Sequence, residues 1–264
     1  MTLPLLLALA TAAAPPALAA TEVTRMAAAE AHQGVVADGR YLWAISNSEI
    51  GKYDRKTGTR VALWQGDPAH FKHMNSCILR GRHLVCAASN YPDVPMASAI
   101  EWFDADRMTH VATRSLGPRY GSLTWADWRD GSWWLCFANY DGKGGEPGRD
   151  HRATALVRTS PDFVEQGAWL FPESVLDRFA PRSASGGVWG GDGLLYVTGH
   201  DRPELYVLKL PEAGPVLDHI TTIAIPSDGQ AIAWETGGKR ILWSIERATR
   251  QAVAVRVPMV EVGR

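Results

Sequence analysis

Three histidines of this 264-residue chain stand at the borders of short apolar segments. His200 follows one such segment and is itself followed by Asp201, while His32 precedes another. An imidazole oriented by a neighbouring carboxylate is a common group for general acid–base catalysis near neutral pH. The pattern therefore predicts His200, His32 and Asp201 as the catalytic residues of an enzyme.

Polar and aromatic side chains occupy the other border positions, and each offers a contact to a small ligand. Amides and hydroxyls form hydrogen bonds, the Arg247 guanidinium can bind a carboxylate or phosphate through two parallel bonds, and aromatic rings present flat faces to a sugar. The predicted substrate-binding residues are Gln33, His73, Asn75, Asn90, Tyr91, Thr124, Trp125, Asn139, Tyr140, Asp141, Ser185, Gln230 and Arg247. The competing interpretation is that single residues of this set cap turns, as Asn and Asp commonly do.

A divalent metal is a further hypothesis for the same histidines. His32, His73 and His200 could supply three ligands, with Asp201 or Asp141 as a fourth. No two of them have His-x-x-x-His spacing, so the sequence leaves the metal unspecified. The chain also has no Gly-x-Ser-x-Gly elbow, no Walker loop and no Gly-x-Gly-x-x-Gly segment after a strand.

These border positions recur five times along the chain, in a repeat of about 45 residues. Each copy has a polar start, an apolar strand, a glycine-containing turn and a second apolar strand, and further strands follow. The turn glycines are Gly39, Gly81, Gly131, Gly193 and Gly238. We expect them at positive φ, which glycine adopts at little cost.

Four strands in each of five repeats is typical of β-propeller blades, so we predict an all-β, five-bladed β-propeller. The last repeat lacks chain for a fourth strand, and the N-terminal residues 22–27 are predicted to supply it and close the last blade. A β-sandwich or jelly roll is the alternative that the strand spacing also fits. Two insertions interrupt the period, at residues 142–151 and 172–183, and the second is predicted to contain a helical turn near residues 175–179.

The two borders of each hairpin lie at one end of it because its strands are antiparallel. The border residues of all five repeats should therefore converge at one mouth of the central channel. The opposite ends of the hairpins carry ordinary turn residues such as Asp38-Gly39 and Asp130-Gly131. This asymmetry predicts a site for a small polar, anionic or sugar-like molecule at a single mouth.

The first twenty residues have the pattern of a secretory signal peptide. An apolar run from Leu3 to Ala14 is followed by Ala17-Leu18-Ala19, a small-x-small cleavage pattern. The run is shorter than the roughly 20 residues that span a bilayer. We therefore predict a signal peptide at residues 1–20, a single propeller domain at residues 21–264, a periplasmic or secreted location, and no membrane span.

Composition narrows the classes of partner. The chain has 27 Lys+Arg against 28 Asp+Glu, and this balance argues against a nucleic-acid partner. Its 46% hydrophobic residues exclude intrinsic disorder. The expected partner is a small-molecule substrate or a glycan, and we expect a monomer.

Cys77 and Cys86 flank one predicted hairpin turn. Export permits a disulfide between them, and the turn register decides whether they lie opposite or diagonal to each other. Two reduced thiols in the core are the competing interpretation. Cys136 is expected to be free and buried.

Short segments resemble two groups of exported propellers. Residues 32–35 (His-Gln-Gly-Val) and 54–58 (Asp-Arg-Lys-Thr-Gly) resemble the opening Gln-Gly-Leu strand and the Asp-x-x-Thr-Gly turn of the plant-type glutaminyl cyclases. The chain has Asn75 where that family has an acidic residue, and Ser185 where it has Asn. Residues 89–92, 124–125 and 198–201 are similar to exported bacterial propellers loosely described as cycloisomerases. The resemblance implies a secreted five-bladed propeller.

Two functions follow from the sequence. The first is an exported enzyme that acts on a small anionic or sugar-like substrate by histidine acid–base or metal-assisted chemistry, as a cyclase, lyase or hydrolase. The second is a non-catalytic propeller that binds a small molecule or a glycan. A protein-interaction platform would expose apolar patches instead of a polar ring.

Overall fold

The computed structural model describes residues 18–237 and 239–262, and within them the chain forms five antiparallel sheets of four strands each. Strands take up 50% of the structure and helices 4%, and the sheets are arranged as the blades of a five-bladed β-propeller. The predicted fold is therefore confirmed. Residues 1–17 of the predicted signal peptide lie outside the described residues.

Each blade is a meander of four strands. The N-terminal strand is β1 (Thr21–Ala27). Blade 1 contains β2 (Gly34–Ala37), β3 (Tyr41–Ile45), β4 (Glu49–Asp54) and β5 (Arg60–Gln65), and blade 2 contains β6 (His73–Arg80), β7 (His83–Ser89), β8 (Ser98–Asp104) and β9 (Thr109–Gly117). Blade 3 contains β10 (Ser122–Arg129), β11 (Ser132–Ala138), β12 (Ala155–Thr159) and β13 (Glu165–Leu170), and blade 4 contains β14 (Gly186–Trp189), β15 (Leu195–Thr198), β16 (Glu204–Lys209) and β17 (Asp218–Ala224). Blade 5 joins β18 (Ala233–Trp234), β19 (Ile241–Glu246) and β20 (Gln251–Arg256) to β1.

The two ends of the propeller meet in blade 5. Strand β1 pairs antiparallel with β20, from Thr21 opposite Arg256 to Ala27 opposite Gln251. This is the predicted closure by an N-terminal strand. It gives the last blade its fourth strand and joins the first and last segments of the ring by backbone hydrogen bonds.

Burial along the strands follows their distance from the channel. All of β11 is buried, because neighbouring blades cover both of its faces. The outermost strands β5 and β13 instead alternate between exposed and half-buried side chains, since only one of their faces is covered. The core therefore lies between the blades, where Trp43, Trp125 and Trp243 are fully buried.

Three of the predicted turn glycines have positive φ: Gly81 at 61°, Gly131 at 73° and Gly193 at 86°. Gly39 does not, and the prediction is wrong there. The Asp38 carboxylate accepts hydrogen bonds from the backbone N–H groups two and three residues later, at 2.7 and 2.6 Å, and this side chain stabilises the turn. Gly238 lies outside the described residues.

The second insertion contains helix α1 (Glu173–Phe179), close to the predicted helical turn. Val175, Leu176 and Phe179 are its buried residues, and they pack into the core between blades 3 and 4. Their spacing puts them on one side of a short helix. The first insertion ends in a 3₁₀ turn at His151–Ala153.

Cys77 and Cys86 face each other directly across β6 and β7, with Cα atoms 3.9 Å apart, and they form a disulfide. Both residues are buried in the core around the first two blades. Cys136 is a free thiol in the core, and burial raises its pKa. A buried thiol of raised pKa is unreactive, so this cysteine fills space.

Candidate functional site

A cavity of about 290 Å³ lies at the channel mouth where the innermost strands begin, and we call it the channel-mouth cavity. Its lining comes from every blade and is almost entirely polar. The lining residues are Gln33, His73, Asn75, Tyr91, Thr124, Tyr140, Lys143, Arg182, Ser185, His200, Gln230 and Arg247. The antiparallel hairpins thus bring the borders of all five repeats to one place.

Most predicted binding residues lie in this lining, and two side chains of the lining escaped sequence reasoning. Lys143 belongs to the insertion in blade 3, and Arg182 belongs to the second insertion, just after α1. Neither insertion shares the repeat, so no equivalent position in another blade marks these residues. The one signal in the sequence is that both insertions follow a strand on the side of the predicted site.

β-Bulges aim two lining residues into the cavity. Pairing of β6 with β7 shifts between Met74 and Cys77, which leaves Asn75 without a direct partner. Pairing of β10 with β11 shifts in the same way at Thr124. A bulge bends its strand and redirects a side chain, and bulges are common beside functional sites.

Trp125 is not a binding residue, and that prediction is wrong. The residue is fully buried in the core between blades 3 and 4. A Cβ built on Gly187 would lie 2.3 Å from the indole, so the ring occupies the space that this glycine leaves. The bulge at Thr124 puts the tryptophan on the face that packs against the next blade.

Asn139 and Asn90 hold loops together instead of lining the cavity. Asn139 is fully buried, and its Nδ2 donates to the carbonyl oxygens of Tyr120 and Ala153 at 2.9 and 3.0 Å. Asn90 closes its own loop, where Oδ1 accepts from the N–H of Ala97 at 2.7 Å. For these two residues the turn-capping interpretation fits the contacts, and neither lines the channel-mouth cavity.

Asp141 lies outside the channel-mouth cavity, contrary to the prediction. Its Oδ1 accepts hydrogen bonds from the backbone N–H and the Nδ1 of His151, at 2.9 and 2.6 Å. It borders a larger open groove of about 1160 Å³ along the first insertion, which Trp169 and Leu170 also line. That groove carries acidic and basic side chains together, among them Glu146 and Arg149, whose charged groups lie 3.6 Å apart.

His200 bridges a carboxylate and a guanidinium. Its Nδ1 lies 2.5 Å from Oδ1 of Asp201, and its Nε2 lies 3.1 Å from Nη1 of Arg247. A guanidinium can only donate, so Nε2 is the acceptor and Nδ1 carries the hydrogen that Asp201 accepts. His200 is therefore a neutral ring that holds Arg247 at the cavity, and Asp201 fixes the tautomer.

A second chain of hydrogen bonds runs along blades 1 and 2. Asn47 Oδ1 accepts from Gln33 Nε2 at 2.8 Å and from His73 Nδ1 at 3.0 Å. The basic nitrogen of His73 is therefore Nε2. His32 is half-buried beside this chain, with Nδ1 at 3.5 Å from Gln33 Nε2, and it is not among the lining residues.

Burial and nearby cations keep these imidazoles neutral. Desolvation, followed by the charge of Arg247, lowers the pKa of both His32 and His73 to about 4. Desolvation also lowers the pKa of His200, although Asp201 opposes it. The pKa of Arg247 is itself lowered by burial and by the like charge of Arg182.

The charges of the cavity are unbalanced. Lys143, Arg182 and Arg247 all line it, and none of the lining residues is acidic. In the described part of the chain, no carboxylate oxygen lies within 4.0 Å of these three cationic groups, and Asp201 is paired with His200. An anion in the cavity would relieve this repulsion, most strongly at the half-buried Arg247, whereas Lys143 and Arg182 are exposed to solvent.

The histidines do not form a compact metal centre. Within residues 18–237 and 239–262, the one group of three side chains whose ligand atoms all lie within 4.8 Å of each other is Asp141, Asp150 and His151. The predicted set of His32, His73 and His200 is not such a group. Their hydrogen-bond partners are Gln33 for His32, Asn47 for His73, and Asp201 and Arg247 for His200.

Comparisons with known proteins extend only to the fold. No protein-family model and no curated protein matches the chain. Solved structures with a similar fold include a crystal structure of the mitotic checkpoint complex (10% identity, 98% of this chain and 99% of that chain, TM-score 0.49) and Kuenenia stuttgartiensis hydrazine synthase (10%, 84% and 70%, 0.48). A β-propeller domain from Myceliophteria thermophila is also similar (10%, 85% and 82%, 0.44). Similarities this distant carry no argument about activity, and they lend no support to the resemblance to glutaminyl cyclases.

No helix in the described part of the chain is long and apolar enough to cross a membrane.

Proposed function

We propose that the chain is an exported enzyme that binds a small anionic substrate in the channel-mouth cavity and transfers a proton to or from it. One observation carries the proposal: three cationic side chains without carboxylate partners and two neutral imidazoles line a single small cavity. Cations bind and neutralise the substrate's charge, and an imidazole moves the proton.

Arg247 and Arg182 are the proposed anion-binding groups. Arg247 is held in place by His200, and a guanidinium can bind a carboxylate through two parallel hydrogen bonds. Hydroxyl groups of Thr124 and Ser185 line the same cavity and can bond to polar groups of the substrate.

His73 is the proposed proton-transfer group. The Nδ1–H of His73 donates to Asn47, which leaves Nε2 as its basic atom. In His200, by contrast, Nε2 already accepts a hydrogen bond from Arg247. The sequence favours His200 and His32 for this role, but the contacts assign His200 to positioning Arg247, and His32 lies outside the lining. Removal of a proton next to a carboxylate needs the carboxylate's charge to be neutralised and a base to accept the proton, whereas glycoside hydrolysis uses two carboxyl groups, which this lining lacks.

A non-catalytic binding protein is the second candidate. It is favoured by the pKa of about 4 at His73, because a general base works best when its pKa lies near the working pH. In that case the same cations would capture an anion, or an acidic glycan, without converting it.

Export rests on the sequence of residues 1–20, and a periplasmic or secreted location is part of the proposal. The Cys77–Cys86 disulfide supports it, because disulfides persist in oxidising compartments. Nothing in the cavity requires a second subunit, so a monomer is proposed.

A thermal-shift screen followed by product detection tests the function. Purified mature protein is mixed with organic acids, sugar acids, neutral sugars and amino-acid derivatives, and bound compounds raise the melting temperature. We expect acids to stabilise the protein and neutral sugars to leave it unchanged, and NMR then reports conversion of the bound acids. His73→Asn retains the donor to Asn47 and should abolish conversion while binding persists. Binding of several acids without conversion of any would favour the second candidate.

A further inference from the structure

We infer that the group bound in the channel-mouth cavity is a dianion, and that the protein takes up a proton from solution when this dianion binds. The inference rests on the proposed function, because it concerns the same cavity. The expected substrate carries two negative charges close together, as a phosphate monoester or a compact dicarboxylate does.

The charge of the lining sets the charge of the ligand. Lys143, Arg182 and Arg247 bring three positive charges to about 290 Å³, and no lining residue is acidic. Arg182 lies close enough to Arg247 to lower its pKa, so the two guanidinium groups repel each other in the empty cavity. A single negative charge would leave this repulsion largely in place, while two charges would offset both guanidinium groups.

The size of the cavity favours a compact group. Its cations approach from different sides, since Arg247 follows β19 and Lys143 and Arg182 come from the two insertions. A tetrahedral or branched anion offers oxygens in several directions, and guanidinium groups match such oxygens in pairs. Gln230, Gln33 and the hydroxyl of Ser185 complete the ring with polar atoms.

The histidines supply the proton uptake. His73 and His200 line the cavity, and His32 lies beside them. The charged groups that act on this trio are the histidines themselves, the cations Arg182, Arg247 and Arg250, and the carboxylate Asp201. The ring of Tyr91 packs on His73 with centroids 5.0 Å apart, and Tyr140 and Lys143 line the same cavity. Cations outnumber the single carboxylate, so the neutral rings are favoured until an anion enters.

A bound dianion reverses the local field. It lies among the cations that hold the imidazoles neutral, and a nearby negative charge stabilises the imidazolium form. At least one ring then binds a proton that it lacks in the free protein. By linkage, a ligand whose binding takes up protons binds more tightly as the pH falls.

Calorimetric titration with sodium sulfate at constant ionic strength tests the inference. Sulfate keeps its two charges between about pH 5 and pH 8, so any pH dependence of its Kd comes from the protein. We expect the Kd to fall about tenfold per unit decrease in pH for each proton taken up. Titrations in two buffers with different ionisation enthalpies should give an uptake of about one proton per sulfate. Nitrate, with one charge, should bind at least about tenfold more weakly.

Variants and a second probe sharpen the test. His73→Asn should flatten the pH dependence, and Arg107→Gln, at an exposed arginine on the β8–β9 turn, should change nothing. A melting curve checks that each variant is folded. Malonate, a compact dicarboxylate that carries two charges near pH 8, should also bind more tightly than nitrate, and binding no tighter than nitrate would count against a site for dianions.

The outcomes separate this inference from the proposed function. A sulfate Kd that does not change with pH, or nitrate binding as tight as sulfate binding, would overturn the inference and leave an anion site in place. Failure of every anion to bind would overturn the proposed function itself. Sulfate binding with proton uptake and no turnover of any acid would support the inference and would contradict the proposal that the protein is an enzyme.

Discussion

The two mouths of the channel are built from opposite ends of the same strands, yet they differ in how their charges are satisfied. The opposite mouth also has a cavity, of about 510 Å³, lined by Trp128, Trp189 and Trp234 together with aliphatic side chains. Its buried carboxylate, Asp127, accepts hydrogen bonds from the backbone N–H groups of Trp128 and Trp189 at 2.7 and 2.8 Å. Of the two mouths, this one has the larger cavity.

Charge balance chooses the other mouth. At the opposite mouth, Arg129 lies 2.9 Å from Asp130, and the Arg80 guanidinium lies 4.1 Å from the Trp128 ring centroid. These cations have partners within the protein. At the channel-mouth cavity, by contrast, the three cations have no carboxylate partner among the described residues. The half-buried Arg247, whose pKa burial lowers and which has no carboxylate partner, is therefore a better guide to the site than cavity volume.

The largest expected difference between the two mouths follows from removing one arginine from each of them. Arg247→Gln should weaken sulfate binding about 100-fold, or ~3 kcal/mol, because a charge-assisted contact is lost. Arg129→Gln, its match at the opposite mouth, should leave the Kd unchanged. Calorimetry on both variants measures the difference. Equal losses would show that the site is not confined to one mouth.

The two mouths should also respond to pH with opposite sign. The pKa of His73 is lowered to about 4, so the folded state binds fewer protons than the unfolded chain up to about pH 6.5, and stability falls as the pH falls through this window. Burial raises the pKa of Asp127 to about 6, so stability rises as the pH falls from about 6 to about 4.

Each of these effects should amount to ~3 kcal/mol across its window, at about 1.4 kcal/mol per pKa unit. Urea unfolding of the wild type, His73→Asn and Asp127→Asn at several pH values measures them. Relative to the wild type, the first variant should lose less stability in acid and the second should lose more. Parallel pH profiles for all three proteins would contradict both assignments.

A smaller effect should come from the insertions. Arg182 is exposed at the edge of the cavity, so Arg182→Gln should weaken sulfate binding about tenfold. Arg149, an exposed arginine of the other insertion that lies near Glu146, is the control, and Arg149→Gln should have no effect. No change in the Arg182 variant would show that Arg182 takes no part in binding the anion.

The smallest effect should follow from a conservative change at His200. In His200→Gln the side-chain oxygen can still accept from Arg247, so sulfate binding should weaken only about threefold. His200→Leu removes the acceptor and should cost about tenfold. Similar losses in both variants would mean that His200 does not act by positioning Arg247.

The fold could be predicted from the sequence because a propeller repeats the same local problem in each blade. Every hairpin shows its apolar strands and its turn, and the missing fourth strand of blade 5 indicates that residues 22–27 close the ring. Short-range chemistry settles such features: alternation along a strand, glycine at a tight turn, and antiparallel pairing.

The site could be predicted only in outline. The repeat fixes which strand borders share a mouth, so it places Gln33, His73 and Gln230 together. It gives no warning of the bulge that turns Trp125 into the core, because one unpaired residue changes which face of the sheet a side chain occupies.

The repeated hairpins are enough to predict that polar side chains converge at one channel mouth, since the register of a hairpin is a local property. The electrical character of that mouth depends on how the chain folds. Lys143 and Arg182 come from insertions outside the repeat, and His200 meets Arg247 across two blades. Their joint positive charge arises from distances between segments far apart in the chain, and Coulomb interactions depend on those distances, not on order in the sequence.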